Sequence, residues 1–391
     1  MTTIVHAAGA AELLAAIPVL TGFTPRDSLV LLPFRGARTA GALRFDLPAS
    51  ATPAPTAAAP LPAVPVPAAP GPSAAEFAAT AIGLACRVPD TDALAIAVYA
   101  DGSSAPGEAL PAAALVDELI GRAQACELHV VEALFVGGGS WADYRDPASA
   151  SRPLTEVPPP PSVPGFAGPA PDQFSGTELP SPGLFAAESV GRALLAVERV
   201  LGPAVPGRRR PPATERTDPR ARETALLLDD LPSFLEEALD SPEALSPFAT
   251  AALVWVLNRP ALRDVALVQW ASSIDRGDRA LAAQLSHGTR GSAVPSNIGG
   301  ILIGDGPRPD GDRLGVALAL VRRTVALAPR ETRGGPLAAA GWLSWACGRS
   351  THAARYLDQA EAVDPGLTFA QLLRTVVDAG MLPRWSFRAA A

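Results

Sequence analysis

The residues that could carry chemistry are few. Histidine occurs at His6, His129, His287 and His352, and no two of these stand at HExxH or HxxxH spacing. A histidine-rich metal site needs two ligands on one helix face, so none is expected. Cysteine occurs at Cys86, Cys126 and Cys347 with no CxxC pair. Cys86 and Cys126 fall near the ends of two expected helices, and the ordinary reading of such thiols is buried packing. Lysine is absent: all 32 basic residues are arginine. A P-loop needs its lysine on the nucleotide phosphates, pyridoxal phosphate needs a Schiff-base lysine, and a protein kinase needs its strand lysine. Those three chemistries are excluded. No catalytic set, metal set or cofactor is expected.

Three constellations remain. The first is the carboxyl edge of an expected sheet, where strands end at Asp46, at Asp101 and at Gly137, Gly138 and Gly139, followed by Ser140 and Trp141. Open α/β sheets bind ligands beyond such ends, glycines expose backbone amides to an anion, and Trp141 could stack. Turn glycines and loop-capping aspartates explain the same residues. The second is GFTPRDSLVLL, with Gly22, Phe23, Pro25, Asp27 and Ser28. Asp27 and Ser28 precede a strand, where each can bond nearby amides, and Phe23 reads as a core anchor. A Ser28 nucleophile would need a base, and no histidine is placed to supply one. The third is GWLSWACGRSTHAARYLDQAEAVDP, where Gly341, Ala353, Ala360 and Pro365 fall at tetratricopeptide offsets. Small residues there let two helices pack closely, and Trp342, Trp345 and Trp385 read as interhelix packing. One such hairpin, 336–365, is fewer than a solenoid needs.

The elements that must position these residues follow from periodicity. Residues 11–20 read as a helix with Leu13, Leu14, Ile17 and Leu20 on one face. Residues 28–34 and 40–47 read as an antiparallel hairpin. A helix over 73–87 with Ser73 as cap, a strand over 93–100, a helix over 111–126 and a strand over 127–139 complete a mostly parallel sheet with crossover helices. Prolines crowd two stretches, an insert at 48–72 and a linker at 151–182. From Gly183 the pattern is helical. Leu184, Val190, Leu194, Leu195 and Leu201 are spaced for one face, and Asp218, Ser246 and Asn258 stand where helix caps belong. The expected architecture is therefore an α/β domain over 1–150, a Pro-rich linker over 151–182 and an all-α domain over 183–391.

The whole chain sets limits on partners. Its 391 residues carry 39 acidic and 32 basic side chains, a formal charge of −7. That balance disfavours a general nucleic-acid binder, although Arg208, Arg209 and Arg210 stand together in a linker. The N-terminal apolar stretch lacks a basic leader and contains Glu12, unlike a secretory signal. No run of about 18 apolar residues predicts a membrane span. A cytoplasmic location is expected, as the three scattered cysteines suit a reducing compartment.

Several of these segments together resemble an actinobacterial family known as domain of unknown function 4192. The resemblance rests on LLAAIPVLTGFTPRDSLVLLPFRG, LRFDLP, VGGGSW, LRDVAL and the stretch from GPLAAAGWLSWACG to MLPRW. It implies an actinobacterial cytoplasmic protein and carries no assigned activity. The expected role is a non-catalytic interaction or scaffold protein with an unidentified protein partner. The alternative is a sensor of an anionic or nucleotide ligand, or a weakly marked enzyme, working at the sheet edge.

Overall fold

The computed structural model describes residues 7–39, 41–48, 72–102, 109–146, 150–205, 207 and 218–387. Residues 49–71 of the insert at 48–72, and Arg208–Arg210, lie outside the described residues. The chain divides into two compact units, Met1–Ser175 and Gly176–Ala391.

The first unit runs α1 (Ala10–Thr21), β1 (Ser28–Arg35), β2 (Arg38–Thr39), β3 (Leu43–Asp46), α2 (Ala74–Ala85), β4 (Ala93–Tyr99), α3 (Ala113–Ala125), β5 (His129–Gly137), β6 (Ser140–Asp143) and β7 (Arg152–Pro153). The sheet order is β2-β1-β4-β5-β6-β7, and β3 also pairs with β1. Alternation along the strands sends side chains to two faces. Leu29, Leu31, Leu94, Ile96, Val98, Ala133 and Phe135 meet α2 and α3 on one face. Val30, Leu32, Ala95, Ala97, Tyr99, Leu134 and Trp141 meet α1 on the other. Both faces of β4 are thus buried, which is why ALAIAVY is apolar throughout. The start of α2 is fixed by a capping box: Glu76 N–H donates to Ser73 Oγ at 3.3 Å, and Ser73 N–H donates to Glu76 Oε2 at 2.9 Å.

Two expectations change. The strands β3, β4 and β5 do run in one direction, but β1 lies antiparallel between β3 and β4. A period-two pattern fixes which face a residue takes, not which strand becomes its neighbour. The segment 151–182 is also no plain linker. Through residue 175 it belongs to the first unit: β7 pairs with β6, Ala170 bonds to Gly22 and Thr24, and Gln173 is buried.

The second unit is helical: α4 (Leu184–Leu201), α5 (Pro219–Leu227), α6 (Leu231–Asp240), α7 (Pro247–Leu257), α8 (Pro260–Trp270), α9 (Ile274–Arg290), α10 (Ser296–Leu302), α11 (Gly311–Leu327), α12 (Gly334–Ala346), α13 (Ser350–Val363) and α14 (Thr368–Asp378). Asp218 and Ser246 cap α5 and α7 as expected. Asn258 does not cap α8. It closes the C-terminus of α7, donating from Nδ2 to Val254 O and Thr332 O, while its Oδ1 accepts from Gly335 N–H. Its two-sided amide ties α7 to the start of α12. Leu253, Leu257, Leu267, Trp270, Leu320, Trp342 and Tyr356 lie in one continuous core. No described helix is long and apolar enough to cross a membrane.

A charged bridge holds three of these helices. Arg313 Nη1 and Nη2 donate to the two oxygens of Glu236 at 2.6 and 2.8 Å, and the buried Gln269 donates from Nε2 to Glu236 at 2.9 Å. The Arg313 hydrogen bond, then that of Gln269, holds the Glu236 carboxyl below its ordinary 4.5. A depressed carboxyl contributes stability that is complete above its unfolded value and is lost as pH falls through the folded one. Thermal unfolding should therefore separate wild type from Glu236→Gln at about pH 7, with the gap narrowing as pH falls below the ordinary 4.5. A gap that stays constant over that range would detach the bridge from stability.

Candidate functional site

The edge where β3, β4 and β5 end does gather the sequence candidates. Ser28 stands opposite Asp46 on one side and Tyr99 on the other. Tyr99 faces Val136, Val136 faces Trp141, and Trp141 faces Arg152. Paired residues share a face, so this row from Asp46 to Arg152 runs across the sheet on the α1 side. Asp101 follows beyond β4 and is exposed.

The row is occupied by the protein's own groups. Ser28 is fully buried; its Oγ donates to Arg26 O at 2.5 Å and accepts from Arg44 Nε at 2.8 Å. That hydroxyl proton is already committed to a backbone carbonyl. Arg44 also pairs with Asp46, whose side chain stays largely exposed. Asp27 adopts a left-handed backbone, φ 44°, and its carbonyl accepts from Leu47 N–H at 3.0 Å. Pro25 is buried and Phe23 is half-buried. Gly22, Phe23 and Thr24 meet Ala170, and the Gln173 amide spans both the N–H and C=O of Arg26 at 3.1 and 2.9 Å. GFTPRD is thus a loop clamped by the segment 170–173.

The three glycines have a structural cause. Gly137 pairs with Ser140, leaving Gly138 and Gly139 as a two-residue turn with φ 57° and 80°. Both positions need the left-handed region that glycine adopts freely. The flanking amides are spent: Ala100 N–H donates to Val136 O, and Leu154 N–H donates to Gly139 O. Ser140 Oγ donates to Gly137 O at 3.1 Å. Trp141 is buried beneath α1, with the Arg152 guanidinium 5.1 Å from its ring centre, so it offers no open face. Its Nε1 is buried with no partner among the described residues. The expected anion cradle is therefore a hairpin turn, because the ladder continues into β6 and β7 instead of entering a helix. Among the described residues, no three His, Cys, Asp or Glu side chains are grouped to hold a metal ion.

The hairpin residues are likewise internal. Gly341, Trp342, Trp345, Ala353 and Ala360 are buried, and Pro365 is exposed just past α13. A Cβ on Gly341 would lie 3.1 Å from Leu357, so this glycine sets how closely α12 approaches α13. Each indole N–H donates to a carbonyl: Trp342 to Leu302, Trp345 to Met381 and Trp385 to Ala346, at 2.8, 2.7 and 3.1 Å. These side chains build the hairpin and cannot themselves touch a partner.

A second stripe on α4 escaped the sequence reading. Leu184 and Leu195, expected on the buried face, are 85% and 47% exposed, and Phe185 is 78% exposed. The buried face is Val190, Ala193, Leu194 and Val197. Leu184, Glu188, Gly191, Leu195 and Glu198 recur at i, i+4, i+7, i+11 and i+14, a separate line along the helix. From Glu188 to Glu198 that line, with Arg192 and Leu194 beside it, borders a cleft of about 320 Å³ whose far wall is Pro329, Glu331 and Thr332. Glu198 is buried and accepts from Ala204 N–H at 2.7 Å. The spacing was visible in the sequence, but an apolar residue at helical period does not by itself report which of two stripes is covered.

Fold and sites together define a class: an α/β unit with a closed sheet edge, followed by a helical unit with an open cleft. The chain belongs to the family described as Domain of unknown function (DUF4192), whose model matches residues 11–167 and 183–384. The comparisons found no match among curated proteins and none among solved structures.

Proposed function

We propose that this chain is a non-catalytic interaction or scaffold protein of the cytoplasm whose helical unit holds a protein partner. The observation that carries the reading is the exposed Leu195 lining the α4 cleft, with Leu184 and Phe185 exposed at the start of the same helix. Exposed aliphatic and aromatic side chains next to a concavity are what a partner anchor needs. Glu188, Arg192 and Glu331 give the cleft both signs of charge, so a partner segment would set polar groups of either sign around an apolar anchor. The close packing of α12 on α13 supports a tetratricopeptide-like hairpin as the rigid base of this unit. The chain should be tagged, cross-linked in its source cells and recovered beside variants. Leu195→Asp should reduce partner recovery at least about tenfold, while Asp46→Asn with Asp101→Asn leaves it unchanged. Recovery indifferent to Leu195→Asp overturns the reading.

One observation favours a second reading, a small-molecule sensor at the sheet edge: the buried Trp141 Nε1 has no partner among the described residues. A bound small-molecule mass in native mass spectrometry, lost on Trp141→Phe, would replace the first proposal with this one.

A further inference from the structure

Cys86 and Cys126 are not the buried thiols that their helical positions suggested; both are exposed. Their placement follows from the topology. The helix α2 connects β3 to β4 and α3 connects β4 to β5, and those three strands run in one direction. The two helices therefore run the same way on one face of the sheet and end at the same side of the unit. Cys86 is the C-cap of α2 and Cys126 is the C-cap of α3. The helices share a core in which Ala78, Ala81, Ala85 and Ala123 are fully buried. Side chains that small allow axes to approach at the lower end of the usual 8–10 Å. The two thiol side chains interact directly.

We propose that Cys86 and Cys126 form a reversible disulfide within the first unit by exchange with a small-molecule disulfide. Burial pushes the Cys86 thiol up, and Cys126 beside it acts in the same direction, so Cys86 keeps its proton longer. The exchange balances equally with either sulfur attacking first. With Cys126 first, its thiolate attacks one sulfur of the oxidant, forming a mixed disulfide and expelling one small thiolate. The Cys86 thiol loses its proton to that thiolate, attacks Cys126 Sγ and expels the second. Two protein thiols are oxidised, one small disulfide is reduced to two thiols, and both protein protons end on the released thiols. Both sulfurs sit at helix C-termini, where the dipole opposes a thiolate, so the exchange is slow. It is a latch for sustained oxidation rather than a rapid sensor.

The full chain suits a direct test, because its three cysteines fall on three different arginine-bounded peptides. It would be equilibrated with oxidised glutathione, its remaining thiols alkylated, and its tryptic peptides weighed. The expected result is a bridge between the Cys86 and Cys126 peptides of one chain, with Cys347 alkylated and no disulfide between chains. Oxidised wild type should melt about 5 °C above its reduced form, a rise that Cys126→Ser abolishes and Cys347→Ser keeps. Separate glutathione adducts on Cys86 and Cys126, a bridge between two chains, or three thiols still open to alkylation would each overturn the proposal.

Discussion

Trp342→Ala should destabilise the helical unit by about 3–5 kcal/mol. Trp342 is fully buried, and its indole N–H satisfies Leu302 O at the end of α10. Truncation removes the largest kind of side chain from a core assembled by α7, α8, α11 and α12, and it leaves a carbonyl without its donor. Neighbouring Trp345 and Trp385 stand in a chain of rings 6.4 Å apart, so collapse into the void would disturb them too. Trp342→Phe keeps most of the volume but not the donor, and should cost about 1–3 kcal/mol. Urea unfolding followed by far-ultraviolet circular dichroism reads both. Equal midpoints for wild type and Trp342→Ala would mean that the indole is not part of the packed core.

Gly137→Val is the corresponding lesion in the first unit. A Cβ at this position would lie 2.0 Å from Ala100 O and 2.7 Å from the Phe135 ring. The carbonyl cannot retreat freely, because the neighbouring Ala100 N–H holds Val136 O and keeps β4 against β5. Expected destabilisation is about 3 kcal/mol or more, enough to lose the unit's cooperative transition. Gly139→Ala supplies the contrast. Space around Gly139 is open, and only its positive φ is at stake, so about 1–2 kcal/mol is expected. Equal losses in the two variants would mean that the strand end tolerates a side chain despite the 2.0 Å approach. Thermal unfolding of the two variants measures both losses.

Much of the first unit was legible because its elements are long and periodic. The helices expected over 73–87 and 111–126 form at Ala74–Ala85 and Ala113–Ala125, and the strand over 93–100 forms at Ala93–Tyr99. The strands β6 and β7 were not legible. Four residues and two residues carry too little pattern, and their partner is fixed by the Gly138–Gly139 turn rather than by their own composition. The role of Gln173 was invisible for a related reason, as its partner Arg26 lies 147 residues away in sequence. The candidate residues of the sheet edge were gathered as expected, but their availability was not readable. Arg44, which holds both Ser28 and Asp46, looked like an ordinary alternating polar residue of a strand. On α4, counting apolar positions merged two stripes that the fold keeps apart.

The sheet's margins have a consequence for how the protein behaves when crowded. At one margin stands β7, two residues long and ending in Pro153, which has no N–H to give. At the other, the outer rail of β1 is divided between the two-residue β2 and the four-residue β3, with Arg44 paired to Asp46 in the latter. Neither margin presents a long, flat, uncharged ladder on which another copy could grow. Concentrated solutions should therefore resist fibrillar self-association through this sheet, however strongly apolar its interior strands are.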